Sequence, residues 1–154
     1  MTGGLSDSEQ RRGSGMRELT ARMMRMQALL HRRLMEGLAE TGLSVGQPKV
    51  LAYLKSHEGR CQKEIAAACQ LEPGSLTVLL NRMEKQGMIE RRMEGNNRRS
   101  RYIYLSEHGK RLAALVVERF YEVEELAFAG ISEEDRAAFV RVSDGIVGNL
   151  MRNS

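Results

Sequence analysis

Five arginines fall between Arg91 and Arg101 (Arg91, Arg92, Arg98, Arg99 and Arg101), with Glu94 the only acid among them and Gly95, Asn96 and Asn97 in the middle of the run. Guanidinium groups carried on a Gly/Asn turn suit phosphates and the electronegative floor of a nucleic-acid groove, because their charge is permanent and their donors are held in a fixed fork. Upstream lies a second set, Gly74, Ser75, Thr77, Val78, Asn81, Arg82 and Lys85, interleaved with Leu76, Leu79, Leu80 and Met83. The spacing of the apolar residues is that of one face of a helix, so the polar and small residues occupy the other. A first turn that is small or hydroxylated lets a helix end approach base edges and phosphates closely, and the helix dipole favours the anion there. Arg82 and Lys85 suit contacts to the backbone of such a partner.

Charge is unevenly placed. The net charge is +4, yet the stretch from Glu118 to Asp144 holds eight acids against three arginines. One end of the chain therefore attracts polyanions and the other does not, as expected where a nucleic-acid face is separate from a face with other work.

Other chemistry finds little support. His31, His57 and His108 are far apart, and none belongs to an HExxH motif or a His/Cys ligand pair. There is no phosphate loop, nucleophile elbow or close acid pair, so neither an enzyme nor a bound cofactor or metal is expected. Cys61 sits between Arg60 and Lys63 at a helix start, a setting that lowers a thiol pKa and would suit a redox-responsive regulator; the plainer reading is a small residue opening a helix. Cys69 falls on a core-facing position and is expected to be inert.

At 154 residues, with 42% hydrophobic and 29% charged residues and no Trp, the composition is that of a globular domain rich in helix formers. The longest apolar run, Leu112 to Val117, is far below the ~20 residues that span a bilayer, and the N-terminus has no apolar leader, so a cytoplasmic location is expected. Residues 1–15 are Gly/Ser-rich and polar and read as a flexible arm. From Met16 to Glu40, Leu19, Met23, Met26, Leu30, Leu34 and Leu38 trace a long amphipathic helix that Gly42 stops. Ser44-Val45-Gly46-Gln47 reads as a capping box opening a second helix with Val50, Leu51 and Leu54 inward. A third helix covers Gln62 to Cys69, the turn Gln70-Leu71-Glu72 follows, and Pro73 begins the fourth, which runs to Lys85 before Gly87.

Met88 to Met93 and Ser100 to Leu105 are strand-like around the Glu94–Arg99 turn. Ser106 caps a long helix with Leu112, Val116, Phe120 and Val123 on one side, and Ser132 with Asp135 starts the last, with Phe139, Val142, Ile146 and Leu150. Gly145 and Gly148 interrupt that last helix, either to allow a close helix approach or merely weakening its end. The predicted class is mainly α with a small β-hairpin wing (α+β). Residues 43–105 are expected to form a winged helix-turn-helix, flanked by a long helix (16–42) and C-terminal helices (106–154), with residues 1–15 as the arm.

The stretch from Leu43 to Leu112 resembles the multiple-antibiotic-resistance regulator (MarR) family of winged-helix repressors. Matching residues are Leu43-Ser44 with Gln47 and Leu51, Gln62-Lys63-Glu64-Ile65-Ala66, and Ser75-Leu76-Thr77. They continue through Asn81-Arg82-Met83-Glu84-Lys85-Gln86-Gly87-Met88-Ile89-Glu90-Arg91, and after the hairpin come Arg98-Arg99 and Leu105-Ser106-Glu107-His108-Gly109. The resemblance implies a twofold dimer built from the first and last two helices, bound to a pseudo-palindromic operator on double-stranded DNA. It places Ser75, Thr77 and Val78 at the bases and Arg99, with Arg98, in the adjacent minor groove. It also implies a repressor modulated by a small-molecule effector. Met24, His31 and Met35 in the Met-rich first helix are the candidate pocket residues.

Two positions depart from the family pattern. Asn97 stands where an Asp usually precedes the tip arginines, and Val78 stands where a basic residue is common. A valine cannot contact guanine through paired hydrogen bonds but can touch a thymine methyl. The alternatives to a DNA reader are a winged-helix protein-interaction module and the Cys61 redox regulator.

Overall fold

The computed structural model describes residues 7–93 and 101–152, with side chains described from residue 18. The order is α1 (Asp7–Gly37), a 3-10 turn (Ala39–Thr41), α2 (Gln47–Ser56), β1 (Arg60–Cys61), α3 (Gln62–Cys69), α4 (Pro73–Lys85), β2 (Ile89–Met93), β3 (Arg101–Leu105), α5 (Glu107–Ala127) and α6 (Glu133–Arg152). Two compact units emerge, Met1–Phe120 and Tyr121–Ser154.

α1 starts earlier than the sequence suggests. It takes in residues 7–15, which read as part of a flexible arm. Ser8-Glu9-Gln10-Arg11-Arg12 consists mostly of good helix formers. Gly13 and Gly15 each cost only about 1 kcal/mol inside a helix that continues beyond them.

The start of α2 also differs. Its N-cap is Gly46, at φ 91°, rather than Ser44. Only half of the expected box forms: Gln47 Oε1 accepts from the Ser44 backbone N–H at 2.9 Å, while the Ser44 hydroxyl is buried and does not cap the helix. Gly46 explains the change. Its positive φ turns the chain, and a Cβ there would lie 3.2 Å from Leu79 Cδ2, so α2 begins in close contact with α4. The buried Gln47 side chain then donates to Gln86 Oε1 at 2.7 Å, joining α2 to the end of α4.

The first unit is built on one core. Leu38, Val50, Leu51, Leu54, Ile65, Leu76, Leu80, Met83, Ile103, Ala113 and Val116 are all at most 1% exposed. Each of the larger side chains contributes on the order of 1.5–3 kcal/mol by leaving water. α2, α3, α4, α5 and the sheet therefore each send at least one residue into the same apolar interior, with Leu34 of α1 packed against it.

The wing holds one strand more than the sequence shows. β3 is central, with β2 on one edge (Ile89↔Leu105 to Met93↔Arg101) and the two-residue β1 on the other (Arg60↔Ile103, Cys61↔Tyr102), all antiparallel. Two residues are too few to show a period of two. β1 exists because Gly59 N–H and its neighbours find carbonyls on β3, the Gly59–Ile103 bond being 3.0 Å.

α5 is anchored at its first turn. Ser106 caps it, its Oγ accepting from Gly109 N–H at 2.9 Å and donating to the Gly87 carbonyl at 2.5 Å. Gly109 is held there by space: a Cβ would fall 1.9 Å from the Met88 carbonyl oxygen.

In the second unit, Ser132 opens α6 as expected. Its Oγ accepts from Asp135 N–H at 3.1 Å and donates to the Asp135 carboxylate at 2.8 Å. Arg136 donates to the Phe128 carbonyl at 3.1 Å and lies over the Phe128 ring, which meets Phe139 edge-on at 5.5 Å. Gly145 and Gly148 open onto space in the isolated chain.

Candidate nucleic-acid interface

α3 and α4 are joined through Gln70, whose φ of 51° is the left-handed turn that ends α3. Its backbone N–H donates to the Ala66 and Ala67 carbonyls and its side-chain amide to Ala67 O at 2.9 Å, which satisfies the helix end. Pro73 then fits the first turn of α4, where its missing N–H has no role.

The α4 stripe is divided as its spacing predicts. Leu76, Leu80 and Met83 are fully buried and Leu79 is half-buried, while Gly74, Ser75, Thr77, Val78, Asn81, Arg82 and Lys85 are exposed. Two of the outward residues carry internal bonds that the sequence does not reveal. Thr77 Oγ1 donates to the Pro73 carbonyl at 2.9 Å and accepts from the Gln62 side-chain amide of α3. Asn81 Oδ1 accepts from Arg91 Nη2 at 2.8 Å, and the same guanidinium pairs with Glu84.

Arg91 is thus a structural residue. Its side chain is only 12% exposed and ties β2 to the outer face of α4. Arg92 donates to Glu90 Oε2 at 2.9 Å and stacks on the Tyr104 ring 4.5 Å away, and its pKa is raised first by that hydrogen bond to Glu90. Of the five arginines in the run, Arg101 is exposed at the start of β3, opposite Met93. Asn97, Arg98 and Arg99 lie outside the described residues.

Cys61 takes the N-cap position of α3, with Glu64 completing the box. The Glu64 carboxylate accepts the Cys61 backbone N–H at 2.9 Å and is 3.3 Å from Arg60. Its pKa is lowered, first by that backbone bond, then by the thiol, with Arg60 adding to the effect. The pattern C-x-x-E is a capping box with sulfur in place of the usual hydroxyl. The half-exposed thiol therefore faces a carboxylate as well as the helix N-terminus. Cys69 is buried, and burial pushes its thiol pKa up against the pull of Lys49. That is the inert setting its position predicts.

The candidate pocket residues are not gathered around the groove seen in the winged unit. Met24 is 68% exposed, His31 is exposed and Met35 is half-buried, all along α1. The groove, about 640 Å³ in volume, lies along α3 and is lined by Gln62, Lys63, Ala66, Ala67, Gln70, Leu71, Glu72 and Pro73. Among the described residues no three His, Cys, Asp or Glu side chains come together to hold a metal ion, and no helix is long and apolar enough to cross a membrane.

Sequence reasoning missed Arg91, Glu84, Gln62 and Gln86 as positioning residues. Each acts across elements, and no spacing rule connects positions on different elements.

Comparison with known proteins agrees with this geometry. Residues 41–100 match the model of the MarR family. The chain is 29% identical over 93 residues to the uncharacterized HTH-type transcriptional regulator YwhA of Bacillus subtilis (strain 168), covering 60% of this chain and 67% of that protein. The solved transcriptional regulator PA3341 superposes with a TM-score of 0.79 at 26% identity, covering 87% of this chain and 98% of that one. The S. aureus MepR–DNA complex shares the fold, with a TM-score of 0.78 at 21% identity over 84% of this chain and 96% of MepR. The matched segment, the winged helix-turn-helix and the exposed face of α4 agree: residues 41–100 match the MarR family, and the chain is similar to winged-helix transcription regulators of that kind.

Proposed function

We propose that the protein is a homodimeric, cytoplasmic repressor that reads a pseudo-palindromic operator, with α4 in the major groove and the wing arginines in the flanking minor groove. The observation that carries this reading is the exposed N-terminal face of α4, from Gly74 to Asn81, fixed by a fully buried stripe beneath it and by Arg91 from the wing. A nearby basic set, Arg82, Lys85 and Arg101, supplies exposed charge for phosphates. The solved MepR complex with DNA supports the same use of the shared fold.

Dimerisation is supported by apolar surface that the isolated chain leaves open. Leu19, Met26 and Leu30 on α1, and Phe139, Val142 and Leu150 on α6, are each more than 40% exposed. A dimer holding two α4 helices about 34 Å apart matches one DNA turn. An effector that binds a different separation more tightly releases the operator, and Met24, His31 and Met35 are the residues proposed to meet it.

Selection of DNA from a random pool, followed by a salt titration of the selected duplex, tests the proposal. The selected sites should be inverted repeats with half-sites one turn apart, and log K should fall with log salt at about −0.9 per phosphate contacted. Weak, salt-insensitive binding would instead indicate a protein-interaction module. For the wing, Arg99→Ala should lose the preference among operators that differ only in flanking A·T content, and an unchanged preference overturns the minor-groove role. Repression is tested by transcription in vitro from a promoter overlapping the selected site.

A further inference from the structure

Four small or uncharged side chains on the first turns of α4, Ser75, Thr77, Val78 and Asn81, stand where base edges would lie. Two of them have a side-chain oxygen engaged inside the protein. Thr77 gives its only hydroxyl proton to Pro73 O at 2.9 Å and takes the Gln62 amide on its oxygen, so what it offers outward is its Cγ2 methyl. Asn81 Oδ1 is occupied by Arg91 at 2.8 Å. Adenine recognition by an asparagine uses that oxygen together with the amide.

Val78 is not among the side chains that build or pack on the core. It is 62% exposed, and a β-branched residue is a weaker helix former than the Ala, Leu or Lys that an idle surface site would favour. One turn before it, on the same face, is Gly74, and a Cβ built there meets nothing within 4 Å. Gly74 and Val78 therefore make an apolar step beside open space at the end of the helix that enters the groove. Thr77 is the adjacent residue on the same exposed helix start.

We infer that α4 selects its site through the C5-methyl groups of thymine, with Val78 as the specificity-determining side chain, Thr77 presenting a second methyl and Gly74 leaving room for the base edge. This rests on the DNA-binding reading above and names the chemistry it uses. Thymine alone among the four bases puts a methyl group in the major groove. Arg91 and Gln62 are positioning residues here: by binding Asn81 Oδ1 and the Thr77 hydroxyl they occupy polar atoms that would otherwise meet the bases and shift the face toward apolar contact.

Deoxyuridine tests the inference, because it lacks only the methyl group and keeps O4 in the major groove and O2 in the minor groove. In the selected operator each thymine of the half-site is replaced singly by deoxyuridine, and affinity is measured for the wild-type dimer and for Val78→Ala. At least one replacement per half-site should weaken wild-type binding by about fourfold for each methyl removed. Val78→Ala should bind the thymine operator more weakly and lose most of the difference between thymine and deoxyuridine at that position. Its fold is checked by circular dichroism, and an exposed helix site should tolerate alanine.

Salt-dependent operator binding in which every replacement leaves wild-type affinity within about twofold overturns the methyl reading while leaving DNA binding intact. Full thymine discrimination retained by Val78→Ala overturns the role of Val78. Absence of salt-dependent binding to any duplex overturns both readings.

Discussion

Arg91 Nη2 lies 2.8 Å from Asn81 Oδ1, so the β2 strand of the wing holds the outer face of α4 by a side chain that is itself almost buried. The same guanidinium reaches Glu84, one turn further along α4. Removing it leaves two polar partners behind, and hydrogen bonds to charged groups are worth about 1.5–3 kcal/mol each. Arg91→Ala should therefore lower stability by about 2 kcal/mol, or roughly 6 °C in Tm for a chain of this size. Arg91→Lys should recover only part, since a lysine cannot place a planar fork on both groups. The charge at position 91 faces protein, so the slope of salt dependence on random DNA should stay unchanged in Arg91→Ala. It should fall by about 1 in Arg82→Ala or Lys85→Ala. An Arg91→Ala slope that falls as far would show that this residue contacts phosphate.

Gly109→Ala should be severely destabilising. The added Cβ would sit 1.9 Å from the Met88 carbonyl oxygen, a backbone atom that also accepts from Ser106 N–H at 3.0 Å. Moving the start of α5 away breaks that bond and the Ser106 cap together. A loss of about 3 kcal/mol, roughly 10 °C in Tm, is expected in thermal unfolding. Gly74→Ala is the control, since its Cβ meets open space and alanine is the better helix former. A Gly109→Ala protein as stable as the wild type would refute the close approach.

The Glu64 carboxylate gives stability a dependence on pH. Its pKa is lowered in the folded protein, chiefly by the Cys61 backbone N–H. A group depressed on folding adds stability above its unfolded pKa, and that stability is lost as pH falls through the folded value. Wild type should thus melt higher than Glu64→Ala at pH 7. The gap should narrow as pH drops below the ordinary glutamate value of about 4.3. A gap that is constant from neutral to strongly acid pH would mean that the carboxylate charge has no part in capping α3.

Charge placed on the open helix faces should separate dimerisation from folding. Leu30 on α1 is 45% exposed and Leu150 on α6 is 64% exposed. Leu30→Glu and Leu150→Glu should therefore leave the helical signal unchanged and, where these faces pair between copies, shift the protein to monomer in sedimentation. Operator affinity should drop with them, because a monomer engages one half-site. Dimers of undiminished affinity in both variants would move the interface elsewhere.

Most of the candidate site was legible because it lies within single elements. The α4 spacing separated Leu76, Leu80 and Met83 from Ser75, Thr77 and Val78, and each fell on the side its period required. The helix-turn-helix limits, the Ser106 and Ser132 caps and the pairing of Met93 with Arg101 around the wing are likewise local. Less visible were features in which two distant segments share one atom. β1 is two residues long and exists only against β3, and the cap of α2 moved to Gly46 because α4 packs on it.

The sequence by itself determined the periods, the breaks between elements and the kinds of side chain on each face, because these depend on backbone geometry and local chemistry. Tertiary structure alone decided what those side chains remain free to do. Thr77 and Asn81 carry polar groups on the outward face of the sequence-predicted helix, yet folding brings Gln62 from α3 and Arg91 from β2 against them. The reason is that a polar atom's availability depends on every neighbour within about 3 Å. Those neighbours come from parts of the chain that only the packed core brings together.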